Sequence, residues 1–379
     1  MNVLINANCS KGGSIPSWCA AMIASLGRYA QHRFCVCVSP QVWQALGKDF
    51  VPAENIEVLD YPQQLSLAKF LRYALKLNAL VEQRATTMVL TVFGPSYWRP
   101  KVRHICGFAK LQYIYRNSPF FRIMDLRERL KLAVKRRVHM KSFLCDADAY
   151  ITESETISEK LRALIPCKPV YTISNSCNQM FAHREMWTSL PLPEFDGVTL
   201  LTVSADYPHK NLKIIRPVAE YLLRRHPEFK FRFVVTLTAE TLGFAADKIP
   251  AWLLPLGSVD IRECPSLYAQ SDFMFLPTLL ECFSASYVEA MKTGRPILTS
   301  DLPFAREICG EAAAYFDPLS PDSIGEAIFG LANDWKFQRR LVEAGTEQLG
   351  KFLSPDERTE HYLQVIEAEA AGNSAATGI

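Results

Sequence analysis

The feature that most constrains this chain is an alternation of short apolar segments with amphipathic helical segments. Short β-branched and apolar segments predict buried strands, and apolar residues at helical spacing between them predict helices, such as Ile214–Arg225 and Ser284–Thr293. The predicted strands are Val3–Asn6, Phe34–Val38, Met88–Val92, Val102–Cys106, Ala149–Thr152, Val170–Ile173, Thr199–Val203, Phe231–Thr236, Phe273–Leu276 and Pro296–Thr299. Strand–helix alternation predicts an α/β fold with doubly wound parallel sheets that helices cover on both faces.

The alternation restarts near Thr199, which predicts a second domain of the same kind. A chain of 379 residues is also too long for one core. We expect an N-terminal domain over 1–182, a polar, proline-containing linker over 183–198 and a C-terminal domain over 199–354. A last helix, 355–370, could pack back on the first domain, and the small, polar tail 371–379 is expected to be disordered.

Composition excludes several classes of protein. The chain is 49% hydrophobic and 21% charged with a net charge of +3, which argues for a globular protein and against a nucleic-acid partner. No apolar run approaches the ~20 residues that span a bilayer, and the N-terminus does not resemble a signal peptide. The eleven cysteines include no metal-ligand spacing. We therefore expect a cytoplasmic protein with no metal and no bound cofactor.

Two carboxylates eight positions apart mark the clearest candidate site. Glu281 follows the predicted strand Phe273–Leu276, and Glu289 lies on the second turn of the helix that comes next. Unpaired amides at the start of that helix can hold a phosphate at the positive end of the helix dipole. Carboxylates on either side can accept hydrogen bonds from sugar hydroxyls. The pattern predicts a site for a sugar attached to a diphosphate, the alternative being an ordinary solvated helix.

Two other loops follow predicted strands and carry phosphate-binding chemistry. Lys210 stands at the start of a helix after Thr199–Val203, where it could neutralise a diphosphate as a point charge. Gly12 and Gly13 follow the first strand, and paired glycines let backbone amides approach a phosphate closely. A surface lysine and a plain flexible loop are the respective alternatives.

Taken with Asn175–Phe181 and Asp301–Ile308, these segments resemble one family, the retaining glycosyltransferases of the GT-B class, family 4. Glu281 and Glu289 match its E-x7-E motif. The resemblance is specific from about 200 to 328, and the first half matches in outline only. It implies two Rossmann-like domains that face each other across a cleft.

The resemblance also implies roles for individual residues. Glu289 would hold the ribose of the nucleotide, and Glu281 would bind the donor sugar. Lys210 would neutralise the leaving diphosphate, and Gly13 would approach it from the other domain. The loop and helix start between the two glutamates would contact sugar hydroxyls and the diphosphate; these donor-binding residues are Cys282, Phe283, Ser284, Ala285 and Ser286.

Three departures from the family pattern are visible. An arginine is usual a few residues before the lysine, but Ser204, Ala205 and Asp206 stand there. Cys282 and Ser284 replace the usual glycines of the turn, and Asn175–Asn178 replaces an Asn-Gly-x-Asp segment. Both glutamates remain, so we expect an active enzyme of the hexosyltransferase type.

His104 is the best candidate for a catalytic residue in the first half, because it lies near a strand-to-loop junction. A strand histidine satisfied by packing is the competing interpretation. The segment Asp146-Ala147-Asp148 spells the DxD of metal-dependent glycosyltransferases. It precedes a predicted strand instead of following one, so we interpret it as a helix–strand connector.

The segment 116–141 contains nine basic residues against two acidic ones, with apolar residues interspersed. This pattern indicates a surface for anionic lipid headgroups, which a lipid-linked acceptor would explain. A solvated helix face is the alternative.

The sequence thus predicts transfer of a sugar from a nucleotide diphosphate sugar to a hydroxyl of a glycan or glycolipid, of the bacterial surface polysaccharide type. A catalytically silent nucleotide-sugar-binding protein and a nucleotide-sugar epimerase of the same fold remain as alternatives.

Overall fold

The computed structural model of the chain describes residues 1–8, 15–61 and 67–372. The chain forms two compact units. The first comprises the described parts of 1–116, 124–175 and 353–379, and the second comprises 117–123 and 176–352. Gly12 and Gly13, like most of the predicted tail, lie outside the described residues.

A seven-stranded, all-parallel sheet forms the centre of the first unit. Its strands are β1 (Asn2–Ala7), β2 (Arg33–Val38), β3 (Ile56–Asp60), β4 (Met88–Thr91), β5 (Arg103–Gly107), β6 (Ala149–Thr152) and β7 (Val170–Thr172). Their spatial order is β3-β2-β1-β4-β5-β6-β7, so the direction of winding reverses between β1 and β4. The central strands are apolar and buried along their length, as expected where helices cover both faces.

The described helices of the first unit are α1 (Ile15–Leu26), α2 (Pro40–Leu46), α3 (Leu67–Gln83), α5 (Leu126–Asp146), α6 (Glu155–Leu164) and the C-terminal helix Pro355–Ala370, and the short helix α4 (Phe120–Ile123) belongs to the second unit. The C-terminal helix packs against α1 and inserts Tyr362, Leu363 and Ile366 into the core of the first unit. Its first turn has a capping box between Ser354 and Glu357. Its bounds are those that the sequence predicts.

A six-stranded parallel sheet forms the centre of the second unit. Its strands are β8 (Val198–Thr202), β9 (Phe231–Val235), β10 (Leu253–Pro255), β11 (Phe273–Leu276), β12 (Ile297–Ser300) and β13 (Ala313–Phe316). The order β10-β9-β8-β11-β12-β13 repeats the winding of the first unit, with the reversal between β8 and β11. In such a sheet, ligands bind outside the carboxyl ends of the strands at the reversal.

After 176, the second unit contains α7 (Ile215–Arg225), α8 (Cys264–Ala269), α9 (Ala285–Lys292), α10 (Pro303–Cys309), α11 (Pro321–Asn333) and α12 (Trp335–Leu349). The C-terminal helix of the first unit is therefore numbered α13. Apolar side chains of α7 and α11 pack with β8, β9 and β11 in one core cluster, and those of α8, α9 and α10 form a second. The predicted fold class, two Rossmann-like parallel-sheet domains, is confirmed.

Three strands were absent from the sequence prediction: β3, β10 and β13. Each lies at an edge of its sheet. The stretch 183–198, expected to be a linker, belongs to the second unit. In the described part of the chain, no helix combines the length and the apolar character that crossing a membrane requires.

Candidate functional site

Two loops of the second unit leave neighbouring strands at the reversal of the sheet. One follows β8 and contains a 3₁₀ turn, Pro208–Lys210. The other follows β11 and leads into α9. Backbone and side-chain hydrogen bonds join the loops, because the His209 carbonyl accepts from the Leu279 amide at 2.7 Å and from Thr278 Oγ1 at 3.2 Å. The fold therefore brings the predicted lysine loop and the predicted glutamate loop together.

The two loops meet in an ion pair between Lys210 and Glu281. Lys210 Nζ lies 2.5 Å from Glu281 Oε1, and Thr278 Oγ1 donates to the same oxygen at 2.9 Å. The side chains retain 13% and 10% of their exposure. The pair is thus screened from most of the solvent. The sequence predicted these two charged residues from separate motifs, and the fold brings them into direct contact.

The start of α9 lies directly after this pair. Ser284 is the N-cap residue, and its side chain caps none of the amides of the first turn, although its carbonyl accepts from the Tyr287 amide at 3.1 Å. Ser286 instead donates its hydroxyl to the Val203 carbonyl of the other loop at 3.3 Å. Phe283 and Cys282 are both buried. The predicted donor-binding segment, 282–286, directly follows Glu281 of the ion pair in sequence.

Glu289 is buried one turn further along α9. Only 5% of it is exposed, and Tyr268 donates a hydrogen bond to its Oε2 at 3.1 Å. Burial raises the pKa of Glu289 to about 7, although the Tyr268 hydroxyl and the charge of Lys210 act in the opposite direction. A carboxylate with such a pKa changes its charge near neutral pH. Perturbation of this kind is typical of functional sites, although structural burial also produces it.

Several residues of this region carried no signal in the sequence. Tyr268 lies on α8, and nothing in the pattern of that helix relates it to Glu289. Ser118 and Phe120 lie in the short segment 117–123, which belongs to the second unit although it is distant from it in sequence. Ser118 Oγ donates to the Leu279 carbonyl at 2.7 Å, and the Phe120 ring packs edge-on against His209. This segment therefore supports both loops of the site.

His209 lies in the loop after β8 and packs between aromatic side chains beside Lys210. Its ring stacks on Tyr207 with centroids 5.4 Å apart, and burial lowers its pKa. The ring is therefore neutral at neutral pH. It adds no second positive charge beside Lys210, and the arginine that the family pattern has near Ala205 is not replaced by this histidine.

The surroundings of His104 favour the packing interpretation. The residue is completely buried on β5 and lies in the first unit. Nδ1 lies 2.6 Å from the Asp146 carbonyl, which can only accept, so Nδ1 carries the proton. Nε2 is 2.8 Å from Thr91 Oγ1, and burial lowers the pKa to about 4. Both ring nitrogens are thus engaged within the fold, and His104 has no part in the mechanism proposed below.

Asp146 is the last residue of α5 and Asp148 lies directly before β6, so the segment connects a helix to a strand, as the connector interpretation predicts. Asp148 pairs with Arg99 at 2.6 Å and accepts from the His104 amide at 2.9 Å, while Asp146 accepts from Ser142. Across the described residues, no three His, Cys, Asp or Glu side chains are grouped so that they could hold a metal ion.

The comparison that bears most directly on this site is with protein families. Residues 193–348 match the model of the family described as glycosyl transferases group 1. The second unit contains a glycosyl transferases group 1 domain. The match covers less than half of the chain, and it includes Lys210, Glu281 and Glu289 with both of the loops that carry them.

A curated relative, O-antigen chain mannosyltransferase B of Escherichia coli, is 29% identical over 101 residues, which are 27% of this chain and 26% of that protein. The matched stretch thus spans about a quarter of the relative. Two solved structures cover nearly the whole chain. Sucrose-phosphate synthase from Thermosynechococcus elongatus aligns with a TM-score of 0.71 at 15% identity, covering 98% of this chain and 100% of that one. Anabaena HepE, solved with UDP and glucose, aligns with a TM-score of 0.67 at 12% identity, covering 97% and 100%. At these identities the structures show the fold alone, which is GT-B.

Proposed function

We propose that this protein is a retaining glycosyltransferase of family 4. It would transfer a hexosyl group from a nucleotide diphosphate sugar to a hydroxyl of a glycan or lipid-linked glycan. The observation that carries the proposal is the Lys210–Glu281 pair, 2.5 Å between charged atoms, at the sheet reversal and immediately before α9. A diphosphate needs a cation and free amides, and a sugar needs a carboxylate. This position offers a lysine, a carboxylate and the start of a helix without a side-chain cap.

In the proposed reaction, the bond between the anomeric carbon and the diphosphate oxygen breaks, and a bond to the acceptor oxygen forms on the same face of the sugar. Lys210 and the first-turn amides of α9 would stabilise the negative charge that develops on the leaving diphosphate. The departing phosphate oxygen would take the acceptor proton, so no protein base is required. Glu281 would orient the donor sugar through its hydroxyls. Glu289 would hold the ribose.

The name of the Escherichia coli relative supports an acceptor in bacterial-type surface polysaccharide or lipopolysaccharide synthesis. We propose that the acceptor is lipid-linked, and the basic segment 116–141 supports a peripheral position on the inner face of the cytoplasmic membrane. We propose that no divalent metal takes part, because the sequence offers Lys210 after a strand where metal-dependent enzymes have a DxD.

A panel of UDP-, GDP- and ADP-sugars, with glucose and mannose among the sugars, tests the proposal. Thermal shift identifies the donor, since a ligand at 100 times its Kd adds about 2.7 kcal/mol of stability. Release of nucleoside diphosphate that depends on an acceptor would support transfer. Conversion of the donor sugar without an acceptor would favour the epimerase, and binding without turnover would favour the silent binding protein.

A further inference from the structure

Helix α5 carries an apolar stripe that faces away from its own unit. Leu126, Leu130, Val134 and Val138 are 72%, 61%, 65% and 56% exposed. They are spaced by four residues, so they follow one another along one side of the helix. Four consecutive large apolar side chains on one exposed face are unusual, because isolated exposed apolar residues are common but contiguous patches mark an interaction surface.

The opposite side of α5 holds the helix to the first unit. Phe143 is buried and packs on Phe108 with ring centroids 4.7 Å apart, and His139 is hydrogen-bonded to the Tyr113 hydroxyl at 2.7 Å. Arg136 donates to the Tyr113 carbonyl at 3.3 Å. The helix therefore already has its packing face, and the stripe is a second apolar surface that the unit does not use.

Basic residues surround the stripe. The helix contains seven Lys or Arg and two acidic residues, Glu128 and Asp146. Arg127, Arg137 and Lys141 fall on the same exposed side as the stripe at 3.6 residues per turn. Among the ion pairs of the described residues, none includes a basic side chain of α5. These positive charges are therefore available to bind an anionic partner.

We propose that α5 lies in the surface of an anionic membrane, with Leu126, Leu130, Val134 and Val138 inserted among the acyl chains and the basic residues at the lipid headgroups. The inference deepens the membrane partner proposed above. Long basic side chains can extend to phosphate while their neighbours insert. A second copy of the chain fits less well, because a symmetric contact would place Arg127, Arg137 and Lys141 against the same charges.

Insertion makes a different prediction from electrostatic adsorption alone. Full-length protein is floated with phosphatidylcholine vesicles, with and without phosphatidylglycerol, at low and raised salt. The variant Leu130→Gln/Val134→Gln, which keeps every charge, should bind the anionic vesicles about tenfold more weakly or worse. Leu75→Gln, at an exposed position of α3, is the matched control and should bind like the wild type.

The charge arm uses Arg127→Gln/Arg137→Gln/Lys141→Gln, which removes the three basic residues on the same side as the stripe. It should reduce partitioning roughly 100-fold, since each basic residue contributes several-fold. The control, Lys336→Gln/Arg339→Gln/Arg340→Gln on α12, removes the same charge elsewhere and should have little effect. Circular dichroism and nucleotide-sugar binding, measured on the same proteins, should be unchanged in the stripe variant, so failure of this inference and failure of the transferase proposal are distinguishable.

Anionic-vesicle binding that is unaffected in the stripe variant would overturn insertion and leave adsorption only. Absence of binding to either kind of vesicle would overturn the inference altogether. Self-association that the stripe variant abolishes, without vesicle binding, would assign the stripe to a second copy.

Discussion

Replacing Glu289 with glutamine should change stability and donor affinity in ways that can be measured separately. Glu289 has a pKa of about 7 in the folded protein, against 4.5 ordinarily, because it is buried beside Tyr268. The folded state therefore keeps its proton at pH values where the unfolded state has lost it. The stability that this difference gives is fully present below pH 4.5 and is lost as the pH rises to 7.

The size of the effect follows from the shift. One pKa unit corresponds to 1.36 kcal/mol, so ionised Glu289 costs the fold about 3 kcal/mol above pH 7. Glutamine cannot ionise. The difference in unfolding free energy between wild type and Glu289→Gln should therefore change by about 3 kcal/mol in favour of the variant between pH 4.5 and 7, and then level off. Taking a difference removes the contribution of the other titrating groups.

Donor affinity should move in the opposite direction. If ionised Glu289 accepts hydrogen bonds from the ribose, its loss should cost about 1.5–3 kcal/mol, roughly 10- to 100-fold in Kd. Wild-type affinity should rise by about 10- to 100-fold in total as the pH approaches about 7 and then remain constant, whereas the variant should show a flat profile. Chemical denaturation and titration calorimetry measure the two quantities, with Glu311→Gln as an exposed control. Unchanged donor affinity in Glu289→Gln would refute the assignment.

Four further outcomes are expected. Lys210→Ala should lower kcat more than donor affinity, because the negative charge on the leaving diphosphate is largest in the transition state. Wild-type activity should survive EDTA. Loss of activity in EDTA that Mg²⁺ or Mn²⁺ restores would count against the mechanism. Tyr268→Phe removes a hydrogen bond that lowers the pKa of Glu289, so the pH midpoint of donor binding should move upward, and an unmoved midpoint would argue against the coupling. Arg358 pairs with Glu153 at 2.9 Å with both side chains nearly inaccessible, so Arg358→Met should cost about 3–5 kcal/mol in urea unfolding, and a loss under 1 kcal/mol would contradict this.

All interior strands and the edge strand β7 were predicted from the sequence, but the edge strands β3, β10 and β13 were missed. The interior strand β11, Phe-Met-Phe-Leu, is buried at every position and reads as a continuous apolar run. Edge strand β3 is buried only at its first residue, and β10 has one buried position of three. An edge strand needs less apolar character because one side has no neighbouring strand, so its sequence resembles a loop.

The candidate site was predictable in its charged residues but not in the residues that position them. Lys210 and Glu281 follow buried strands at short range, a relation that the sequence displays. Ser118 contacts Leu279 across a separation of 161 residues, and the Tyr268–Glu289 hydrogen bond joins two helices. Such contacts depend on how the elements pack. His104 shows the converse, because its strand position is visible in the sequence but its two buried hydrogen bonds are not.

The stereochemistry of the transferred sugar tests the central proposal most directly. With the donor found in the panel and an acceptor that it glycosylates, proton NMR of the first product formed gives the anomeric configuration before any exchange. The proposal predicts the configuration of the donor, together with one nucleoside diphosphate released for each bond formed and loss of both in Lys210→Ala. A product of inverted configuration, or an equal rate of transfer in Lys210→Ala, would contradict it.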